Sequence, residues 1–342
     1  MARYATCGID GSIVRRLPSC ARPPGAVILL PYRHHFVTLG LIALGFPAGL
    51  GAADAPSGLF DQASHDSTGF GMDAARIDSQ ITLAIPAGKA AEVYAYLRAT
   101  YAESNTKLKE AFPALDLKGD QQVDVSNFTD RYFDTPDLEL YASGSTIRFR
   151  TRVNTTNPED RKSGRQLVQM KVTPDGRFDL RTELKFEVKP SRKFRDGDDA
   201  SPLLRLVDRL QRSDLKSAIR RIGIDPYRLQ EVVTIQQTRK RVYLYLAGEN
   251  FLSFSVDEFK SGILWSTARA SSVDIGLVEN AYTQADAARR ADLWRIREFL
   301  VQDLKERFPG LKVNDTEKYS LIMAQLLDDV PSMRFLVRHR LL

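Results

Sequence analysis

The stretch TIRFRTRV, residues 146–153, sets the pattern from which the fold can be argued. Arg148, Arg150 and Arg152 stand at alternate positions in it, and Phe149 is one of the apolar residues between them. Successive side chains of a β-strand point to opposite faces of the sheet. The spacing therefore predicts a strand with three guanidinium groups on one face and apolar side chains on the other.

Three other stretches repeat this one-sided placement of charge: residues 166–173, 181–188 and 237–241. The charged or polar residues that share a face are Gln169 and Lys171 in the first stretch, Arg181, Glu183, Lys185 and Glu187 in the second, and Arg239 and Arg241 in the third. These faces are either the solvated outside of an ordinary sheet or the lining of a barrel. In a barrel, the cations could bind the oxygens of a phosphate polyanion, and the carboxylates could hold Mg²⁺ or Mn²⁺.

Period-two alternation and turn residues predict eight strands along the chain. They cover about residues 77–85, 126–133, 146–153, 166–173, 179–188, 231–246, 251–259 and 271–282. Helical spacing predicts helices over residues 90–102, 201–222, 283–308 and 317–327. Because the order lacks alternation of single strands with helices, we expect an α+β fold: an antiparallel eight-stranded tunnel-like β-barrel with flanking helices.

Cysteine and histidine are too scarce to carry the chemistry. Cys7 and Cys20 are the only cysteines, and only His65 and His339 lie beyond the first 53 residues. Disulfide frameworks, thiolate metal sites and histidine triads are therefore excluded for residues 54–342. Chemistry in that part must come from carboxylates, Lys and Arg.

The formal net charge of +6 comes mostly from the first 53 residues. Residues 54–342 contain 44 Lys and Arg against 42 Asp and Glu, a net charge of about +2. Global basicity therefore gives no argument for nucleic acid as a partner. The placement of the charges matters more than their sum.

Residues 1–53 have the order of parts that is typical of a secretory leader. Arg33 and two histidines precede an apolar run, 36–50, and small residues form a cleavage-site pattern that ends at Ala53. We expect cleavage near Ala53 and an exported, periplasmic protein; a buried apolar helix is the alternative. The run of 15 residues is shorter than the ~20 that a membrane-spanning helix needs. Residues 54–74, rich in Gly, Ser, Ala and Asp, are predicted to be a flexible linker.

Motifs in the middle of the chain resemble those of the CYTH/VTC superfamily. YFDTPDLELY, residues 132–141, is similar to the YFDTPDL signature of these domains, and RFR at 148–150 matches their Arg-x-Arg strand. Further matches follow in the family's order: VQMK at 168–171, RTE at 181–183, Arg239, the acidic pair at 257–258 and EKYS at 317–320. The resemblance covers about residues 75–330 and leaves 331–342 as a C-terminal tail. It implies a triphosphate-tunnel fold, whose members hydrolyse triphosphates or thiamine triphosphate, make cyclic AMP, cap RNA or polymerise polyphosphate, usually with Mg²⁺ or Mn²⁺.

The chain departs from the family pattern mainly at carboxylates. CYTH enzymes open with Glu-x-Glu-x-Lys, whereas residues 78–82 here are DSQIT. Lys185 replaces the middle acid of the Arg-x-Glu-x-Glu-x-Glu strand, and Asp274 and Gly276 stand where a Glu-x-Glu pair is expected. Phosphate binding is therefore better supported by the resemblance than metal-dependent catalysis is.

The resemblance and the shared faces suggest roles for individual residues. Substrate binding is predicted for Arg148, Arg150, Lys171, Arg181, Arg239, Arg241 and Lys318. Catalysis is predicted for Glu183, Glu187 and Lys171, and metal binding for Glu183, Glu187 and Asp257. In the plainer alternative, the two glutamates only pair with Arg181 and Lys185.

Three functions stay open on the sequence. The first is a metal-dependent hydrolase of triphosphate or polyphosphate, and the second is an exported, non-catalytic protein that binds polyphosphate or another polyanion. The third is a scaffold within an envelope assembly. We expect a triphosphate or polyphosphate ligand, no nucleic acid partner, and no membrane span once the leader is removed.

Overall fold

Eleven strands form one antiparallel sheet in the part of the chain that the structure describes. The computed structural model describes residues 76–78, 80–160, 162–172, 181–189 and 200–341, so the predicted leader (1–53) and linker (54–74) lie outside the described residues. The strands are β1 (Arg76–Asp78), β2 (Gln80–Ile85), β3 (Leu117–Gly119), β4 (Asp124–Asp134), β5 (Thr146–Asn154), β6 (Gln166–Val172), β7 (Arg181–Glu187), β8 (Gln230–Leu246), β9 (Glu249–Ile263), β10 (Ser266–Leu277) and β11 (Lys312–Val313). Each predicted strand overlaps an observed one, and the first is divided between β1 and β2.

Two edges of the strand order lie beside one short stretch of chain, which contains β1 and β2. The order is β1-β7-β6-β5-β4-β8-β9-β10-β2-β11, with β3 attached to β8. One residue separates β1 from β2, yet Asp78 of β1 pairs with Arg181 of β7, and Gln80 of β2 pairs with Gly276 of β10. The hydrogen-bonded path does not close into a ring, but this stretch borders both edges of the other seven long strands. The predicted α+β fold, an antiparallel tunnel-like sheet with flanking helices, is confirmed.

Helices lie before, between and after the strands. They are α1 (Ala90–Leu97), α2 (Thr106–Ala111), α3 (Glu139–Ser143), α4 (Arg212–Arg221), α5 (Glu279–Thr283), α6 (Ala287–Arg307), α7 (Lys318–Asp329) and α8 (Met333–Arg338), and a π-helical segment, Arg98–Ser104, continues α1. α8 lies within the predicted C-terminal tail, residues 331–342. None of the described helices is long and apolar enough to cross a membrane.

The helix predicted over residues 201–222 is wrong in its first half. Two 3₁₀ turns occupy that half, and α4 begins only at Arg212. Val207, between the turns, is extended and forms a bridge with Val188. The side chain of Asp208 then caps the second turn. The apolar residues do have helical spacing, but in this half they belong to short turns that pack on the sheet and not to one continuous helix.

Helices cover the outer face of the sheet on two sides. α1, the π-helical segment and α6 pack on β2, β8, β9 and β10, where they bury Leu83 and Phe254. α4 and the 3₁₀ turns pack on β5, β6 and β7, where Ile147 and Phe149 are buried. Because Ile147 and Phe149 take the outer face, the arginines that alternate with them point to the inner face.

α7 fills one end of the inner face with apolar side chains. Its Tyr319 and Ile322 are fully buried in a cluster with Tyr132 of β4 and Ile235 of β8. The rings of Tyr319 and Tyr132 are stacked, with centroids 5.0 Å apart. This packing places the start of the helix, at Lys318, next to the polar part of the tunnel.

Candidate anion-binding tunnel

The inner face of the sheet encloses a cavity of about 250 Å³. Its lining consists of Gln80, Thr82, Arg148, Arg150, Gln169, Lys171, Glu183, Lys185, Arg239, Arg241, Asp274, Asn314, Thr316, Glu317 and Lys318. Residues of β2 and β7, which stand near opposite ends of the strand order, therefore face the same space. Seven lining residues are Lys or Arg and three are carboxylates, so the lining is cationic.

Arg148 and Arg150 share one buried carboxylate, that of Asp130 on β4. Arg150 donates from Nε and Nη2 to its two oxygens at 2.6 and 2.5 Å, and Arg148 donates from Nη1 at 3.3 Å. Arg148 also donates to Oε1 of Gln169 at 3.0 Å and to the hydroxyl of Tyr132 at 3.1 Å. Burial raises the pKa of Asp130, but the two guanidinium groups outweigh burial and hold this pKa below its usual value. The carboxylate therefore stays charged and fixes both arginines.

A second cluster joins β8, β9, β10 and α7. Arg239 donates to both oxygens of Asp257, each at 2.7 Å. Lys318 contacts Asp257 and donates to Oδ2 of Asp274 at 3.0 Å, while Thr82 donates to Oδ1 of Asp274 at 3.0 Å. Asp257 is fully buried; burial raises its pKa, but Arg239 and Lys318 lower this pKa well below its usual range.

Glu183 on β7 is held between a lysine and an amide. The Nζ of Lys185 lies 2.5 Å from Oε2 of Glu183, and Nε2 of Gln169 donates to Oε1 at 2.8 Å. A looser pair joins β6 to the start of α7, where Nζ of Lys171 lies 3.8 Å from Oε1 of Glu317. Lysines and carboxylates thus alternate along this wall of the tunnel.

The cavity brings together most of the residues that the sequence indicated. Arg148, Arg150, Lys171, Arg239, Arg241 and Lys318 line it, and so does Glu183. Glu187 is on the same strand as Glu183, but it is exposed and lies outside the lining. Asp257 is buried beneath its ion pairs with Arg239 and Lys318. Arg181 is described through its backbone, opposite Asp78.

Four carboxylates inside the described sheet do not fit a divalent metal. Both oxygens of each of four interior carboxylates contact protein donors: Asp130, Glu183, Asp257 and Asp274. Mg²⁺ and Mn²⁺ need several oxygen ligands, and the Lys and Arg groups beside these oxygens would repel a dication. Within the described ranges, no group of three or more His, Cys, Asp or Glu is arranged to hold a metal ion, so Glu183, Glu187 and Asp257 do not form such a group.

Two interior acids were not singled out from the sequence. Asp130 shares the inner face of β4 with Tyr132, but β4 carries polar side chains on both faces, so alternation gave no signal for it. Glu317 directly precedes Lys318 in the EKYS match, so the motif itself held the signal.

A larger groove, of about 850 Å³, shares no lining residue with the tunnel. Its charged lining residues are Glu258, Lys260 and Arg269, and most of the others are neutral or apolar. Two cations beside one acid give little attraction for a polyanion, so the smaller tunnel is the better candidate.

Comparison with known proteins places the chain within a family. Residues 97–275 match the CYTH domain. No curated protein sequence matches the chain. Among solved structures, the chain is similar to the Hippeastrum protein HpAC1, for which a dominant triphosphatase activity is described: 16% identity, 72% of this chain and 95% of that one covered, TM-score 0.40.

Two other solved structures show a similar likeness. The RNA triphosphatase of S. pombe is 10% identical over 73% of this chain and 92% of its own, with a TM-score of 0.33. The Mimivirus capping enzyme triphosphatase is 8% identical over 74% and 98%, with a TM-score of 0.35. No function is transferred from likenesses of this size. The match of residues 97–275 covers more than half of the 342 residues, and this chain therefore belongs to the CYTH domain family.

Proposed function

We propose that the tunnel binds a short linear polyphosphate, with inorganic triphosphate as its representative ligand. The observation that carries the proposal is the cavity lining, in which seven Lys and Arg side chains face about 250 Å³. Phosphate oxygens accept charge-assisted hydrogen bonds from these groups, and a polyanion needs several of them at once. Membership of the CYTH family supports the same ligand class.

The fixed position of the cations also favours binding. Asp130 holds Arg148 and Arg150, and Asp257 holds Arg239. Because these side chains are already ordered, a ligand would lose less affinity to the ordering of rotamers. The lining is therefore a preorganised anion site and not a set of mobile surface cations.

Hydrolysis of the bound anion, with Mg²⁺ or Mn²⁺, is the second candidate function. Membership of the CYTH family favours it, since proteins of this family typically use divalent metals, whereas the oxygens of Glu183 and Asp274 in this tunnel already contact protein donors. Release of orthophosphate from triphosphate, measured with each metal, tests this candidate. An exported protein that binds polyanions without catalysis is the alternative, and its export is a prediction from residues 1–53 alone.

Two substitutions on one strand test the proposed binding. Arg241→Ala removes a lining cation with long contacts: Arg241 donates to the hydroxyls of Ser255 and Tyr243 at 3.3 and 3.4 Å, and its Nη1 lies 3.7 Å from Oδ2 of Asp124. A charge-assisted hydrogen bond contributes about 1.5–3 kcal/mol, so we expect calorimetric titration to show triphosphate affinity lower by roughly tenfold or more.

The matched control is Lys240→Ala. Lys240 lies between Arg239 and Arg241 on β8, but it faces outward and pairs with Glu258 at 3.2 Å. We expect this variant to bind triphosphate as the unaltered chain does. Equal losses in both variants would show that binding depends on overall charge, and no loss in Arg241→Ala would remove the ligand from the tunnel.

A further inference from the structure

In the proposed anion site, Lys and Arg side chains contact the carboxylate oxygens that a divalent metal would need as ligands. Four interior carboxylates, those of Asp130, Glu183, Asp257 and Asp274, have both oxygens in contact with protein donors, and most of those donors are charged. Among these donors, the ammonium group of Lys185 lies 2.5 Å from Oε2 of Glu183, and both residues line the cavity. The position of this ammonium group bears on whether anion binding needs a divalent metal.

The surroundings of Lys185 place its ammonium beside the other ligand-binding cations. In the sheet register, Lys185 lies opposite Gln169 of β6, and Gln169 lies opposite Arg148 of β5. The side chain of Lys185 is 27% exposed and that of Glu183 is 12% exposed. The ammonium is therefore held at the wall of the cavity, and it remains accessible from the cavity.

An ammonium group in this position supplies positive charge to the phosphate oxygens, as a divalent ion would, but it needs different partners in the protein. It has three N–H donors, so that contact with Glu183 leaves others for phosphate oxygens. A divalent ion would instead need oxygen ligands that the protein donors already occupy. The same contacts that hold Lys185 therefore exclude a metal from Glu183.

We propose that Lys185, anchored by Glu183, takes the place of a divalent cation in the tunnel, so that triphosphate is bound by protein cations alone. This inference rests on the proposed binding of triphosphate. It makes Lys185 a specificity-determining residue, because it selects the metal-free anion over the metal complex.

The experiment uses calorimetric titration of the full chain with triphosphate, in chelator and in Mn²⁺, together with direct Mn²⁺ titration followed by electron paramagnetic resonance. For the unaltered chain we expect the dissociation constant in chelator to be no weaker than in Mn²⁺. We expect no Mn²⁺ binding in the absence of triphosphate.

Lys185→Glu converts the cation into a carboxylate beside Glu183. In chelator we expect triphosphate affinity to fall roughly tenfold or more, because a charge-assisted contact is lost and a like charge is added. Mn²⁺ should restore part of that affinity, because two adjacent carboxylates now have free oxygens. Lys185→Met should lose affinity to a similar degree in both conditions, with no restoration by Mn²⁺.

Lys240→Glu is the matched control, since it reverses a lysine on the outer face of β8; it should bind as the unaltered chain does in both conditions. Circular dichroism and the unfolding temperature show whether each variant is folded. An unaltered chain that binds triphosphate only with Mn²⁺ would overturn the role of Lys185 and leave the proposed function standing. So would unchanged affinity in Lys185→Met. Failure to bind triphosphate in either condition would overturn the proposed function itself.

Discussion

Asp130 is the residue on which two tunnel arginines depend. It is 1% exposed and accepts from Arg148 and Arg150, so its removal leaves two buried guanidinium groups beside a cavity. We expect Asp130→Ala to lower the free energy of unfolding by about 3–5 kcal/mol, the usual result of breaking a buried ion pair from one side. Urea denaturation measures this change.

Asp116→Ala is the control for that measurement. Asp116 pairs with Lys118 at 3.3 Å, but both side chains are more than half exposed. Exposed pairs contribute about 0–1 kcal/mol, so we expect little change. Equal losses of stability in the two variants would show that Asp130 does not hold the arginines as described.

At the scale of single residues, alternation predicted the face of a side chain but not its partner. The arginines of TIRFRTRV face the tunnel, as their spacing predicts. The sequence suggested that Asp257 binds a metal, whereas the register of β8 and β9 places it opposite Arg239. Pairing across strands depends on register, which a single strand does not encode. Asp130 was missed because β4 carries polar side chains on both faces, and its arginine partners lie on the neighbouring strand.

At the scale of elements, period-two strands were predictable and mixed helical regions were not. β5 and β8 match their predicted bounds to within one residue at each end. Residues 201–222 have apolar residues at helical spacing, yet tertiary contacts stop the helix at Val207, which bridges to Val188. The spacing of apolar residues within 201–222 carries no information about a contact with Val188, which lies outside that stretch.

A cluster of hydrogen bonds around Asp303 connects four helical elements and gives a pH-dependent prediction. Asp303 of α6 accepts a hydrogen bond from Tyr96 at 2.6 Å and also contacts Tyr101 of the π-helical segment and Lys107 of α2. The hydrogen bond with Asp303 raises the pKa of Lys107 from 10.5 to about 12. Burial raises the pKa of Tyr101 and of Tyr96.

The direction of the pH effect follows from these raised values. A group whose pKa is higher in the folded state stabilises the fold fully below its unfolded pKa and loses that contribution as pH rises through the folded pKa. The free energy of unfolding should therefore decline between pH 10.5 and about 12. In Lys107→Met the decline should be shallower, because only the tyrosines still contribute. Identical slopes of urea-derived stability against pH would contradict this role.

At the scale of the whole molecule, charge is distributed unevenly although its sum is small. Residues 54–342 carry a net charge of about +2, yet the tunnel lining has seven cations and three carboxylates. Outer-face cations such as Lys240 and Arg131 pair with acids on the same surface. The attraction for polyanions is thus concentrated inside the sheet, where salt screens it less than at an open surface.

This distribution predicts how the chain discriminates between polyanions. A cavity of about 250 Å³ has room for roughly eight water molecules at ~30 Å³ each, so it admits a narrow phosphate chain and no duplex. In calorimetric competition at 150 mM salt, duplex DNA should therefore leave the triphosphate dissociation constant unchanged as the ratio of DNA phosphate to protein is raised. Polyphosphate chains longer than triphosphate should compete, because one end can still enter the tunnel. Displacement of triphosphate by DNA would mean that the ligand lies on the outer surface, and the cationic lining would then be a set of internal ion pairs that stabilises the fold.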